Sequence, residues 1–199
     1  MESQEKIWDE IAPEWHEFKQ IGGESTGKFL AKCSGNVLDL GAGSGRHLVK
    51  LKKGKMWLVD FSEEMLRLAK KKADELGIKA EFVKADLTEL PLEDNFFDFA
   101  ICISALHCVK GEDNRLKSVK ELYRVIKKGG IARIGVWNFQ SKRFNQKQGK
   151  EKLIKWTNKG ERYYYLFDEQ EVHDLFKKAG FKLIESDNSE MMINFVVKK

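Results

Sequence analysis

Apolar and polar positions along the chain follow two alternating periods. NVLDL at 36–40, DFAICIS at 98–104 and IARIGVW at 131–137 are short runs, apolar almost throughout. Such runs read as strands buried on both faces, as in a parallel sheet. Residues 55–60 and 81–85 read as two more strands. Between them the spacing changes to three and four. Residues 62–76 carry Met65, Leu66, Ala69, Ala73 and Leu76 on one face, with Ser62 as a cap and Gly77 just past the end. Residues 46–52, 113–126 and 169–179 also read as helices. The second stops at Gly129-Gly130, and the third starts at Asp168 and ends at Gly180. Residues 181–186 and 191–197 form two closing strands. Their polar link at 187–189 is too short for anything but an antiparallel pair. The pattern predicts an open, doubly wound α/β sheet of seven mostly parallel strands with an antiparallel C-terminal hairpin.

Two segments stand outside that rhythm. Helices are expected across 3–33, and residues 138–167 interrupt the alternation. We read one domain: an N-terminal helical lid (1–35), a core (36–137), an insertion (138–167), and a closing helix and hairpin (168–199). The insertion holds most of the charge. Residues 142–162 carry eight basic side chains against Glu151 and Glu161, within a net charge of +5 for the chain. Lysines interleaved with Phe144, Trp156 and Tyr163 suit a phosphate backbone with an unstacked base. The acidic, amphipathic start MESQEKIWDE is no signal peptide, and no apolar run reaches membrane-spanning length. A cytoplasmic protein with no membrane association is expected. Cys33, Cys102 and Cys108 lack CxxC spacing, and the four histidines lack ligand spacing, so no metal is expected.

The chemistry starts at VLDLGAGSGRH, residues 37–47. Gly41, Gly43 and Gly45 give GxGxG after a strand. The dinucleotide fingerprint would need glycine where Arg46 stands, and no Walker lysine follows. Asp39, inside the strand before the loop, would repel a phosphate and suits a cationic ligand. Asp60 ends the second strand, where a carboxylate reaches ribose hydroxyls. Asp86 follows the third strand and can meet an adenine amino group. A nucleoside without phosphates on a cationic tail is S-adenosylmethionine (SAM).

VLDLGAGSG, VDFSEEML, KADLTELPLEDNFFDFAICISALHCV and IKKGGIARIGVW resemble, in order and spacing, the motifs of the class I SAM-dependent methyltransferases. The resemblance implies that family's Rossmann-like fold. It also implies cofactor contacts from Asp39, Gly41, Ala42, Gly43, Gly45, Asp60, Phe61, Asp86, Leu87 and Ser104. Three further stretches, WDEIAPEWHEFK, DFAICISALHCV with RLKSVKELYRVIKKGG, and ERYYYLFDEQEVHDLFKKAGF, are similar to the tRNA methyltransferases that esterify 5-carboxymethyluridine at the wobble position. That resemblance implies an anticodon loop as substrate and a small zinc-binding activator beside an edge strand. The expected edge is 81–85, with Phe82 and Val83 as contacts. Lys19 stands where the family has arginine, and Cys108 where it has a second histidine.

An acceptor carboxylate is already ionised at pH 7 and needs no general base. No convincing base constellation is visible in the sequence. The expected acceptor-side residues are His107, Arg162, Tyr163, Trp137 and Lys19. Trp8, Ile11, Trp15 and Phe18 fall at near-helical spacing and read mainly as lid packing. The alternatives are a methyltransferase for quinone- or sterol-like small molecules, and a non-catalytic SAM- or RNA-binding subunit. The first wants an apolar lid; methyl turnover separates the second.

Overall fold

The computed structural model describes residues 3–144 and 146–199. Helix α1 (Gln4–Phe18) and helix α2 (Glu24–Leu30) precede strand β1 (Gly35–Leu40). Then come β2 (Gly54–Asp60), α3 (Glu63–Glu75), β3 (Ala80–Lys84), β4 (Phe97–Ile103), α4 (Glu112–Val125) and β5 (Ile126–Trp137). A two-stranded hairpin, β6 (Glu151–Lys155) and β7 (Glu161–Tyr165), leads to α5 (Glu169–Ala179), β8 (Lys182–Ser186) and β9 (Met192–Lys198).

The main sheet has seven strands in the order β3-β2-β1-β4-β5-β9-β8. Pairs from β3 to β5 are parallel; β9 runs antiparallel to both β5 and β8. The closing hairpin therefore folds back so that its second strand, β9, lies next to β5. Strand order reverses between β1 and β4, and ligands of such sheets sit beyond the carboxyl ends of the strands at that point.

Alternation along each strand divides the core between the two faces. Leu38 and Leu40 face Val119 and Leu122 of α4 and Val172 and Phe176 of α5. Val37 faces the side of Leu30 on α2 and Leu66, Ala69 and Ala73 on α3. A third cluster joins Trp8, Ile11 and Ala12 of α1 to Met65 and Leu68 of α3 and Tyr164 of β7. The N-terminal helix is thus a lid held by both the core and the insertion.

Two sequence expectations change. Residues 46–52 form turns, not a helix. His47 and Leu48 are buried and Val49 half-buried: the His47 ring lies beside Gly22, Leu48 and Val49 pack into the α2–α3 side of the core, and Val49 N–H donates to Met56 Sδ at 3.4 Å. Helix α4 stops at Val125, not at the glycines, because Ile126 already pairs with Phe97; Gly129 and Gly130 lie within β5.

Candidate active site

A cavity of about 330 Å³ opens at the carboxyl ends of β1, β2 and β4, in the usual size range of small-molecule sites. Its floor is the glycine loop. Gly41 has φ +75°, and a Cβ there would lie 2.1 Å from Ala105 Cβ, so no other residue fits. Gly41 and Ala42 both donate N–H to Val59 O, at 2.8 and 2.9 Å, which ties the loop to β2. Gly43 donates N–H to Asp60 Oδ2 at 2.8 Å. Gly45 plays a different part from its neighbours. It is buried off the cavity, where a Cβ would meet Ala69 of α3 at 3.2 Å.

Asp60 is buried at the end of β2, and its other oxygen accepts Ser62 N–H at 3.0 Å. Burial raises its pKa to about 6 against the pull of these backbone donors. Asp9 of α1 accepts from Ser62 Oγ at 2.6 Å and from Glu64 N–H at 3.2 Å, clamping the lid to the start of α3 behind Asp60. Phe61, Leu87 and the exposed Asp86 line the same side of the cavity. Asp86 accepts from Thr88 N–H and Oγ, closing a tight turn. Ser104 lines the opposite wall with φ +62°, a strained conformation held by its N–H bond to Gly135 O.

Asp39 lies beneath the floor, 1% exposed, and does not line the cavity. Burial raises its pKa to about 7, Arg46 opposes that rise, and its Oδ2 has no hydrogen-bond partner. The pocket thus presents a residue-tight glycine loop and a buried acid, Asp60, at the end of β2, with the Asp39 carboxylate beneath the floor, 3.9 Å from His47 Nδ1 and with its Oδ2 unbonded. These features fit a nucleoside carrying a cationic amino-acid tail. Gly41, Ala42, Gly43, Asp60, Phe61, Asp86, Leu87 and Ser104 would surround it.

The acceptor-side expectations divide. Lys19 lines the cavity, together with Trp8 and Trp15 of the lid and with Arg46, the residue after the glycine loop. In the sequence Arg46 marks only a missing glycine, although its position directly after GxGxG is the signal that places it at the cavity. His107, Trp137, Arg162 and Tyr163 do not line the cavity. His107 is 1% exposed, and its Nδ1 accepts Trp137 N–H at 3.0 Å. Burial, aided by Arg46, drops its pKa to about 3, so the ring is neutral. Trp137 stacks on Tyr164 with ring centroids 4.3 Å apart.

Alternation along β7 sends neighbours to opposite faces. Arg162 turns toward Trp8, Trp15 and Trp156, and its Nη1 donates to Tyr164 Oη at 2.6 Å. Tyr163 turns away and donates its hydroxyl to Glu151. Carboxylates also meet several of the insertion's cations. Lys150 pairs with Asp168 and Glu171 at 2.7 and 2.8 Å, Lys159 with Glu14 at 2.6 Å, and Lys155 approaches Glu161 at 4.0 Å.

Comparison with known proteins matches this arrangement. Residues 37–130 match the family model described as a methyltransferase domain. The fold is shared with a methyltransferase of Haloferax volcanii solved in complex with the Trm112 methyltransferase activator. The TM-score is 0.75 at 18% identity, over 98% of this chain and 97% of that one. Residues 37–130 are a methyltransferase domain, the chain shares the fold of solved SAM-dependent methyltransferases, and SAM is its cofactor.

Within that class it resembles the tRNA (carboxymethyluridine(34)-5-O)-methyltransferase of Arabidopsis thaliana, at 30% identity over 160 residues, 79% of this chain and 37% of the relative. It is also 32% identical over 115 residues to the ubiquinone/menaquinone biosynthesis C-methyltransferase UbiE of Vibrio cholerae, 52% of this chain and 43% of that one. The chain therefore spans less than half the length of either relative. Among the described residues, no helix is long and apolar enough to cross a membrane.

Proposed function

We propose that this chain transfers the SAM methyl group to the side-chain carboxylate of 5-carboxymethyluridine at the wobble position of tRNA. The observation that carries the reading is a cationic acceptor side without a general base. Lys19 and Arg46 line the cavity, Arg143 lies within electrostatic reach of Lys19, and Arg162 within reach of Arg143. The groups that could take a proton are unsuited to it near pH 7. His107 and His47 have pKa values of about 3, chiefly through burial. Burial pushes the Cys108 thiol far above its usual range. Asp60 and Asp86 belong to the cofactor side. An acceptor that is already ionised needs only charge neutralisation and in-line placement, and positioning of that kind supplies much of a methyl transfer's acceleration.

The Arabidopsis relative adds support, since its match extends over most of this chain. The quinone-methylating relative covers about half of it, and fold alone does not choose the acceptor. Methylating a ring carbon would call for a base to prepare the ring, which the acceptor side does not offer among the described residues. The reading includes a small activator subunit beside β3, the outer strand of the sheet. Phe82 and Val83 already pack inward against the two core clusters, so backbone groups of the edge would make most of that contact.

The test is methyl transfer to tRNA from cells lacking this ester, with nucleosides digested and read by mass spectrometry. Carboxymethyluridine should be consumed as its methyl ester appears. No conversion, with an activator supplied, overturns the reading in favour of small-molecule acceptors.

A further inference from the structure

Next to Lys19 in the cavity wall stands a surface the cofactor does not use. Phe18, at the end of α1, is 63% exposed although the spacing of its helix predicts a packed residue. Its ring lies under Lys19 Nζ, 4.7 Å from the centroid, and edge-on to Trp156 at 5.6 Å. From Trp156 a wall of rings and cations continues without a break. Arg162 sits over Trp156 at 4.9 Å and bonds Tyr164, and Tyr164 stacks on Trp137. Trp137 meets Phe144 at 5.2 Å, and the exposed Arg143 lies over Trp137 at 5.3 Å. The wall thus ends on each side in an aromatic-cation neighbour pair, Phe18-Lys19 from the lid and Arg143-Phe144 from the turn after β5.

Among the described residues, neither Lys19 nor Arg143 has a carboxylate partner. Burial, Arg46 and Arg143 together lower the Lys19 pKa, so these cations sit close enough to repel one another. Charges assembled against their own repulsion, without a protein anion, are complementary to an anionic ligand. The exposed Phe18 and the half-buried Phe144 beside them offer stacking faces. Rings that stack bases, interleaved with cations that meet phosphates, are the chemistry of single-stranded nucleic acid recognition.

We propose that the rim formed by Phe18, Lys19, Arg143 and Phe144 takes an unstacked nucleotide of a single-stranded RNA loop. The rings stack on bases, and the two cations hold the flanking phosphates. The inference rests on the tRNA reading above and names the residues that would present the base to the cavity. It moves RNA recognition from the lysine-rich hairpin, where Lys155 and Lys159 already meet carboxylates, to the surface beside Lys19.

The experiment is a binding titration of an RNA stem-loop bearing an unmodified wobble uridine. It uses the full chain saturated with S-adenosylhomocysteine, over a series of salt concentrations. F18A should weaken binding by roughly 5- to 100-fold, the range of one stacked base. R143A should weaken binding and flatten the salt dependence by about 0.7 in the log-log slope, the share of one phosphate on a single strand. Both side chains are exposed, and retained S-adenosylhomocysteine affinity reports that each variant is folded. Wild-type affinity and slope in both variants, alongside wild-type methylation of tRNA, overturn the rim and leave the tRNA reading intact. No RNA binding or tRNA methylation by the wild-type protein overturns both.

Discussion

His107 shows how position changes a residue's meaning. At the end of a strand, next to the cofactor loop, it reads as a substrate contact. Its Nδ1 instead accepts the backbone N–H of Trp137, and its ring packs within 5.5 Å of both Trp137 and Tyr164. It fixes the stacked Trp137–Tyr164 pair and takes no proton near neutrality. H107A would leave Trp137 N–H buried and unpaired, at a cost of about 1–3 kcal/mol. H107N can return an acceptor to that N–H and should recover much of the stability. The kcat/KM of the wild-type enzyme should show no inflection from this imidazole between pH 6 and 8. An inflection abolished by H107N would make His107 a proton carrier instead.

At the scale of elements, the insertion is a brace. Glu14 of α1 accepts Trp156 Nε1–H at 2.7 Å and pairs with Lys159, while Gln4 bonds the backbone at both Glu161 and Tyr163. Lys150 joins β6 to the start of α5, where Asp168 and Glu171 make a capping box. Burial opposes the Lys150 charge, but its two carboxylate partners outweigh it and hold the pKa above the usual lysine range. K150A should therefore cost about 1 kcal/mol, as partly exposed pairs do. Its melting temperature should fall by roughly 2–4 °C, a shift expected for a domain of this size. The salt slope of RNA binding should not change; a flatter slope would show that Lys150 meets phosphate. What was legible in the sequence at this scale was local: strand runs, the Ser62 cap, and the glycine loop with Asp60 after the next strand. The apolar spacing of 46–52 misled because Leu48 and Val49 pack into the α2–α3 side of the core, and His47 against Gly22, without a helical turn between them. The pairing of the insertion's lysines was illegible because Glu14 and Glu171 approach only when the chain closes on itself.

Across the whole molecule, the buried titratable groups oppose one another. Asp39 and Asp60 have pKa values raised to about 7 and about 6, mainly by burial. They favour the fold when protonated, so their ionisation costs stability as pH rises from the unfolded value near 4. His47 and His107, lowered to about 3, act the other way. They are neutral in both states above pH 6.5, and stability is lost as pH falls below it because only the unfolded chain accepts their protons. Between pH 4 and 6.5 the two pairs offset each other, and the cofactor-free stability should vary little. A cationic cofactor breaks the balance, because it favours ionised carboxylates at Asp39 and Asp60. SAM affinity should rise as pH increases from 5 to 8, with proton release on binding visible as a buffer-dependent heat. The stabilisation SAM confers in thermal unfolding should shrink in step as the pH is lowered from 8 to 5.5. A SAM-induced shift independent of pH would place both carboxylates outside the binding equilibrium and return the glycine loop's acid partners to a purely structural role.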